Sequence, residues 1–364
     1  MALCDQSLPY IRAISPYLPG KPITQLAREM GIPVDSIVKL ASNENPLGMS
    51  PKARAATEKA IATLERYPDD FALKQALADH TGLGIERIVL GNGSNDVLDM
   101  IARVFLAPGR SAVFAQYAFA VYPIATLSAG GESIAVPAKE NDFGHDLDAM
   151  LAAICPDTRL VWIANPNNPT GTFLPCAQIR AFLQAVPQDV VVVLDEAYNE
   201  YLSPADRVET TTLLADFPNL VITRTFSKIY GLAGLRIGYA LAASEVADLM
   251  NRVRQPFNCN NLALAAATAA LDDHEFVAQS YALNRAGMEQ LVAGFKRLGL
   301  THIPSHGNFV AFKAGDAATV NQKLLRQGVI VRPIAGYGMP EWLRVTIGAE
   351  VENSRFLAAL EKSL

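Results

Sequence analysis

Cysteine is scarce in this chain: four in 364 residues, at positions 4, 155, 176 and 259, with no C-x-x-C spacing. That excludes a disulfide framework or a cysteine zinc cluster as the basis of the fold and fits a reducing compartment. The five histidines (80, 145, 274, 302 and 306) are scattered and none sits in an H-E-x-x-H context, so metal chemistry is not expected. Neither sign of charge dominates. With 31 Lys and Arg against 36 Asp and Glu, the net charge of -5 gives no reason to expect nucleic acid or an anionic membrane as partner. Apolar runs are too short to span a bilayer, and Pro9, Pro16, Asp5 and Arg12 interrupt the first 17 residues, which therefore do not read as a signal peptide. The expectation is a soluble, cytoplasmic protein.

What is present is a globular composition, 50% hydrophobic and 18% charged, in a chain long enough for one large and one smaller domain. Through the middle, short β-branched runs at 111–115, 159–165, 190–197, 220–226 and 236–242 read as buried strands. Helical spacing over 95–106, 176–186 and 245–255 alternates with them, which predicts an α/β fold with a mainly parallel central sheet covered on both faces. In such sheets ligands bind beyond the carboxyl ends of the strands, and Asn165, Asp195 and Lys228 each follow an apolar run. After an Ala-rich helix at 261–271 the pattern changes to a smaller α+β unit, with strand-like runs at 308–314, 329–334 and 342–348. The expected division is an arm at 1–40, a large domain at 41–260 and a small domain at 261–364.

Lys228 lies in "TFSKIYGLAGLRIGY" (225–239), an otherwise apolar and glycine-bearing run. Burial disfavours the charged form of a lysine, which turns its amine into a usable nucleophile; the plainer alternative is a snorkelling lysine. Ser227, Thr225 and Arg236 beside it supply hydroxyls and a planar fork suited to a phosphate. Asp195 ends the apolar run of "VVVVLDEAYNEY" and calls for a cationic partner, or else caps a helix; Tyr198 follows as a ring-oxygen ligand or a core residue. "NPNNPTGTF" (165–173) is a stiff turn that presents Asn168, and "LGNGSNDVLDM" (90–100) opens a helix whose amides at Ser94 and Asn95 suit an anion. Arg332 and Arg344 lie in strand-like runs near the end, as surface residues or as clamps for a substrate anion.

In this order, these motifs resemble the fold-type I aminotransferases that use pyridoxal 5'-phosphate. Within that family "SNENPLG" (42–48), "RYPD" (66–69), the Lys228 run and "GVIVRPIAGYGMPEWLRVTIG" (328–348) are most similar to the histidinol-phosphate aminotransferase group. The resemblance implies Lys228 as the Schiff-base lysine and proton shuttle, Asp195 on the pyridine nitrogen, Tyr198 and Asn168 on the ring oxygen, and Tyr117 stacked on the ring. It implies Ser94, Asn95, Thr225, Ser227 and Arg236 on the phosphate, joined by Tyr67 from the other subunit of a homodimer. Tyr17, Arg332 and Arg344 match substrate-side positions, while Asn308 matches an asparagine near the site. Where many relatives have a proline-led turn before the stacking residue, this chain has Ala115 and Gln116. The implied reaction exchanges an amino group between histidinol phosphate with 2-oxoglutarate and imidazole acetol phosphate with glutamate. An aromatic amino-acid aminotransferase, or a lyase similar to threonine-phosphate decarboxylase, would share the cofactor residues.

Overall fold

The computed structural model describes residues 3–139 and 142–364. Among the described residues twelve strands form three sheets. They are β1 (Val38–Lys39), β2 (Ile88–Gly91), β3 (Ser111–Ala115), β4 (Glu132–Val136), β5 (Thr158–Ala164) and β6 (Val191–Asp195), followed by β7 (Leu220–Thr225), β8 (Gly238–Leu241), β9 (Phe309–Lys313), β10 (Val329–Ile330), β11 (Arg332–Pro333) and β12 (Trp342–Thr346).

Seven strands make the large sheet in the order β2-β8-β7-β6-β5-β3-β4. Only β8 runs antiparallel to its neighbours, so the sheet is mainly parallel, as the alternation of strand and helix patterns predicts. Its strands are apolar on both sides, and successive residues feed two different cores. Val192 and Leu194 join the core on one face, with Ile163 and Ile222; Val191 and Val193 join the other, with Trp162 and Val221. The period of two then carries Asp195 and Thr223 onto the Trp162 side, where β6 and β7 pair them directly. Two strands of this sheet, β2 and β4, escape the sequence pattern because β2 is short and runs into a glycine turn, and β4 is largely solvent-facing.

The antiparallel sheet β11-β12-β9 packs with helices His274–Arg297 and Glu350–Glu361 around a separate apolar cluster that includes Phe295, Phe312 and Phe356. Its register sets Arg332 opposite Arg344. The two-stranded sheet β1-β10 brings the segment after Lys39 alongside β12, where Thr346 N donates to Leu40 O at 2.8 Å. Residues 40–45 therefore run between the small sheet and the carboxyl ends of the large one. No helix among the described residues is long and apolar enough to cross a membrane.

Candidate functional site

A cavity of ≈ 520 Å³ opens at the carboxyl ends of the large sheet's parallel strands. Tyr17, Ser94, Asn95, Asn168, Asp195, Tyr198, Thr225, Ser227, Lys228, Arg236, Arg332 and Arg344 all line it. Residues up to 327 positions apart in the chain, Tyr17 and Arg344, thus converge on one space.

Each is placed by local structure. Asp195 is the last residue of β6 and does not cap a helix; its carboxylate accepts from Tyr122 Oη at 2.8 Å and from Thr223 Oγ1 at 3.0 Å. Burial raises its pKa, and these two hydroxyls together with the Ala197 amide oppose that shift. Lys228 sits just beyond β7. Its Nζ donates to the Ser42 carbonyl at 3.2 Å and stands 5.6 Å from the centre of the Tyr198 ring. Burial, reinforced by the charge of Arg344, lowers the lysine pKa to about 8, which is the environment a nucleophilic amine requires.

Tyr198 Oη accepts from Asn43 Nδ2 at 2.9 Å and from Asn168 Nδ2 at 3.3 Å, and burial pushes its pKa up to about 12. Asn168 Oδ1 in turn accepts from Arg344 Nη1, and Arg344 Nη2 donates to Ala41 O at 2.9 Å. Two buried atoms here have no partner: Arg344 Nε and Asn308 Oδ1.

One end of the cavity is formed at the start of helix Ser94–Phe105, where Ser94 and Asn95 line it beside Arg236. Gly93 turns into that helix at φ +82°, and a Cβ there would fall 2.4 Å from Arg236 Nη2. A Cβ on Gly238 would fall 2.4 Å from Ser94 N. The two glycines let the helix N-terminus, the Arg236 fork and the β8 backbone approach one another. None of Arg236, Arg332 and Arg344 forms an ion pair among the described residues. The cavity therefore holds three guanidinium groups that pair with no carboxylate among the described residues, although Asp195 and Asp99 also line it. Arg332 lies 5.3 Å from the centre of the Tyr17 ring, which holds the arm residues against the small sheet.

Of the residues expected to act from this chain, Tyr117 is the one outside the cavity lining: it packs near Phe143 in an apolar cluster with Ile334, Met339 and Trp342, while Phe119 lines the cavity. The chain turns at Gln116 and Tyr117 directly after β3, with the Gln116 amide donating to Val136 O at 2.7 Å, Tyr117 O held by Asn167 Nδ2 and Tyr122 N donating to Phe119 O. Tyr67 is 79% exposed and stacks on Phe257 at 4.5 Å, away from this cavity.

Three residues that the motifs do not single out also belong to the site: Phe119, Tyr122 and Asn43. The first two read as core aromatics in "YAFAVYP", and nothing in their spacing distinguishes them. Asn43 has a left-handed backbone at φ +56° and bonds Tyr198 and Thr346 at once.

Comparison with known proteins agrees with this architecture. Residues 35–362 match the family Aminotransferase class I and II. The chain is 75% identical over its full length to histidinol-phosphate aminotransferase 1 of Dechloromonas aromatica (strain RCB), all of which is covered. It is 61% identical, over 98% of the chain and 93% of the relative, to histidinol-phosphate aminotransferase 1 of Thiobacillus denitrificans (strain ATCC 25259 / T1). Among solved structures, histidinol-phosphate aminotransferase from Sinorhizobium meliloti in complex with pyridoxal-5'-phosphate superposes with a TM-score of 0.89 at 30% identity, covering 98% of this chain and 97% of that one. A match over nearly the whole length and relatives this similar establish that the chain belongs to the aminotransferase class I and II family, on a fold-type I scaffold.

Proposed function

We propose that this chain is a pyridoxal 5'-phosphate-dependent transaminase that exchanges an amino group between histidinol phosphate and 2-oxoglutarate, giving imidazole acetol phosphate and glutamate, in histidine biosynthesis. The observation that carries it is the set of three guanidinium groups without carboxylate partners around a buried lysine and a buried aspartate.

The residues fit the cofactor. Ser94, Asn95, Thr225, Ser227 and Arg236 line one end of the cavity, where the close approach at Gly93 and Gly238 brings the helix N-terminus and the Arg236 fork together, and they suit its phosphate. Asp195 suits the ring nitrogen, Tyr198 and Asn168 the ring oxygen, and Phe119 the ring face. When bound, pyridoxal 5'-phosphate supplies an aldehyde for the amino group and an electron-withdrawing ring that stabilises negative charge at the substrate carbon. Lys228, with its lowered pKa, offers a free amine near neutral pH and afterwards a base able to take and return the α-proton. Asp195, whose ionised form its two hydroxyl donors favour against burial, would hold a proton on the ring nitrogen. Tyr198, held neutral, keeps its hydroxyl available as a donor. Arg344 and Asn168 suit a carboxylate or its stand-in, and Arg332 with Tyr17 suits the phosphate of the other substrate. One site can then serve both half-reactions in turn.

A homodimer belongs to this reading. Ile61, Leu64, Tyr67, Phe71 and Phe257 are exposed, and such apolar surface supports a subunit contact that takes Tyr67 toward the partner's cofactor phosphate. The arm at 1–40, the large unit at 41–260 and the small unit at 261–364 form its domains, and the enzyme works in the cytoplasm. The test is a panel of half-reactions on the cofactor-loaded enzyme with histidinol phosphate, phenylalanine, tyrosine and O-phosphothreonine. The expected result is fastest amino transfer from histidinol phosphate. A preference for an aromatic amino acid, or carbon dioxide release from O-phosphothreonine, overturns the substrate assignment.

A further inference from the structure

Tyr122, on the Asp195 side of the sheet, touches the site through Asp195 without lining the cavity. It is fully buried, on helix Val121–Ser128, and its hydroxyl donates to Asp195 Oδ2 at 2.8 Å. Its ring is fixed from two directions. Trp162 of β5 stacks on it at 5.3 Å and 5°, while Phe119 meets it edge-on at 5.8 Å and 89°. Trp162 is itself anchored to the same helix, because its Nε1 donates to Thr126 Oγ1 at 3.2 Å. A phenol could have packed against Trp162 as a phenylalanine. The hydroxyl adds nothing to that stack, and its acceptor is the carboxylate alone.

We infer that Tyr122 is a positioning residue for the reaction: its hydroxyl, with Thr223 on the other oxygen, fixes the rotation of the Asp195 carboxylate that would face the ring nitrogen of the bound cofactor and keep it protonated. The inference rests on the assignment of Asp195 to that nitrogen. Thr223 holds the other oxygen of the same carboxylate from β7, at 3.0 Å, so the two donors act on one group from two different elements. A carboxylate has about four acceptor positions, which leaves room for the ring N–H beside both hydroxyls. Other charge nearby does not replace them: Glu196, adjacent in the chain, repels the Asp195 charge and is taken up by Arg224 at 2.9 Å. Burial favours the neutral carboxyl of Asp195, and the two hydroxyls oppose it.

The test uses Tyr122→Phe, which keeps the stacked ring and removes one oxygen. The enzyme is loaded with cofactor labelled with nitrogen-15 in the ring, and the ring-nitrogen chemical shift is followed from pH 6 to 9 beside the steady-state kinetics. In Tyr122→Phe the shift should move toward the unprotonated value as pH rises. Its kcat should fall about tenfold or more while KM for either substrate changes less than twofold. Thr223→Val, altered on another strand, should move the same two readings in the same direction; it also decides the matter if Tyr122→Phe fails to fold. A ring nitrogen that stays protonated in the variants as in the parent, with unchanged kcat, overturns the inference. If the parent enzyme's own ring nitrogen is unprotonated, or is unaffected by Asp195→Asn, the assignment of Asp195 fails instead.

Discussion

Lys228 Nζ donates a 3.2 Å hydrogen bond to the carbonyl oxygen of Ser42, a residue 186 positions earlier. The carbonyl is a neutral acceptor, so the lysine is held in place without being locked as an ammonium by a carboxylate. Burial and the charge of Arg344 then lower its pKa to about 8. In the cofactor-free protein, covalent capture of pyridoxal 5'-phosphate, trapped by borohydride, should rise with pH and level off near pH 8. A bend above pH 10 would mark an ordinary solvated lysine. Lys228→Ala should trap none and lose transamination altogether.

The same shift makes a stability prediction of definite sign. A base whose folded pKa lies below its ordinary 10.5 destabilises the fold where it must be charged, below about pH 8. That cost fades as pH rises from about 8 toward 10.5, because the unfolded chain binds more protons in that window. Lys228→Met should therefore melt a few degrees higher than the parent at pH 7 when both are cofactor-free, and the difference should shrink by pH 10. A constant gap across that range would assign the effect to packing.

Asp195→Asn keeps the size of the side chain; its amide oxygen can accept from one of Tyr122 and Thr223, while its NH2 group donates to the hydroxyl of the other. It removes the charge that pairs with the ring nitrogen, a charge-assisted bond of about 2–3 kcal/mol, or roughly a hundredfold in rate. The variant should retain part of its cofactor and lose at least that much kcat. Unchanged kinetics would remove Asp195 from the ring nitrogen.

How much of this could be read from the chain alone follows a physical line. The strands of the large sheet's interior were legible because both faces are apolar, and β-branched runs such as "VVVVLD" have few other fates. Lys228, Asp195 and Arg236 were legible because charged or glycine-flanked residues stand out in such runs. Tyr122 and Phe119 were not, since an aromatic in an apolar helix reads as core until its neighbour across the sheet is known. The resemblance puts Tyr117 on the ring face, and the structure adds Phe119 to the cavity lining beside it.

The close approach of β8 to the helix N-terminus makes a prediction independent of charge. A Cβ on Gly238 would fall 2.4 Å from Ser94 N and 2.9 Å from the Gly93 carbonyl carbon, both backbone atoms that cannot rotate away. Gly238→Ala should open the space between β8 and the helix N-terminus and weaken cofactor retention by tenfold or more, measured by equilibrium dialysis. Gly234→Ala, where a Cβ meets nothing within 4 Å, is the matched control and should bind as the parent does.

Arg224 and Glu196 form an ion pair at 2.9 Å with side chains only 5% and 3% exposed, directly beside Asp195 in the chain. Glu196 also accepts from Thr210 Oγ1 at 2.6 Å, and Arg224 reaches Glu209 at 3.2 Å, so each charge is met from more than one side. Removing one partner leaves the other charged and buried, which costs about 3–5 kcal/mol. Arg224→Met should lower urea-unfolding stability by that amount. Arg224→Met combined with Glu196→Gln should recover most of it, because the stranded carboxylate is gone. The kcat of the double variant's cofactor-loaded fraction should stay within a few-fold of the parent, since neither side chain lines the cavity. A double variant as unstable as the single one would mean that the pair's worth lies in its mutual attraction, not in the cost of an unpaired charge.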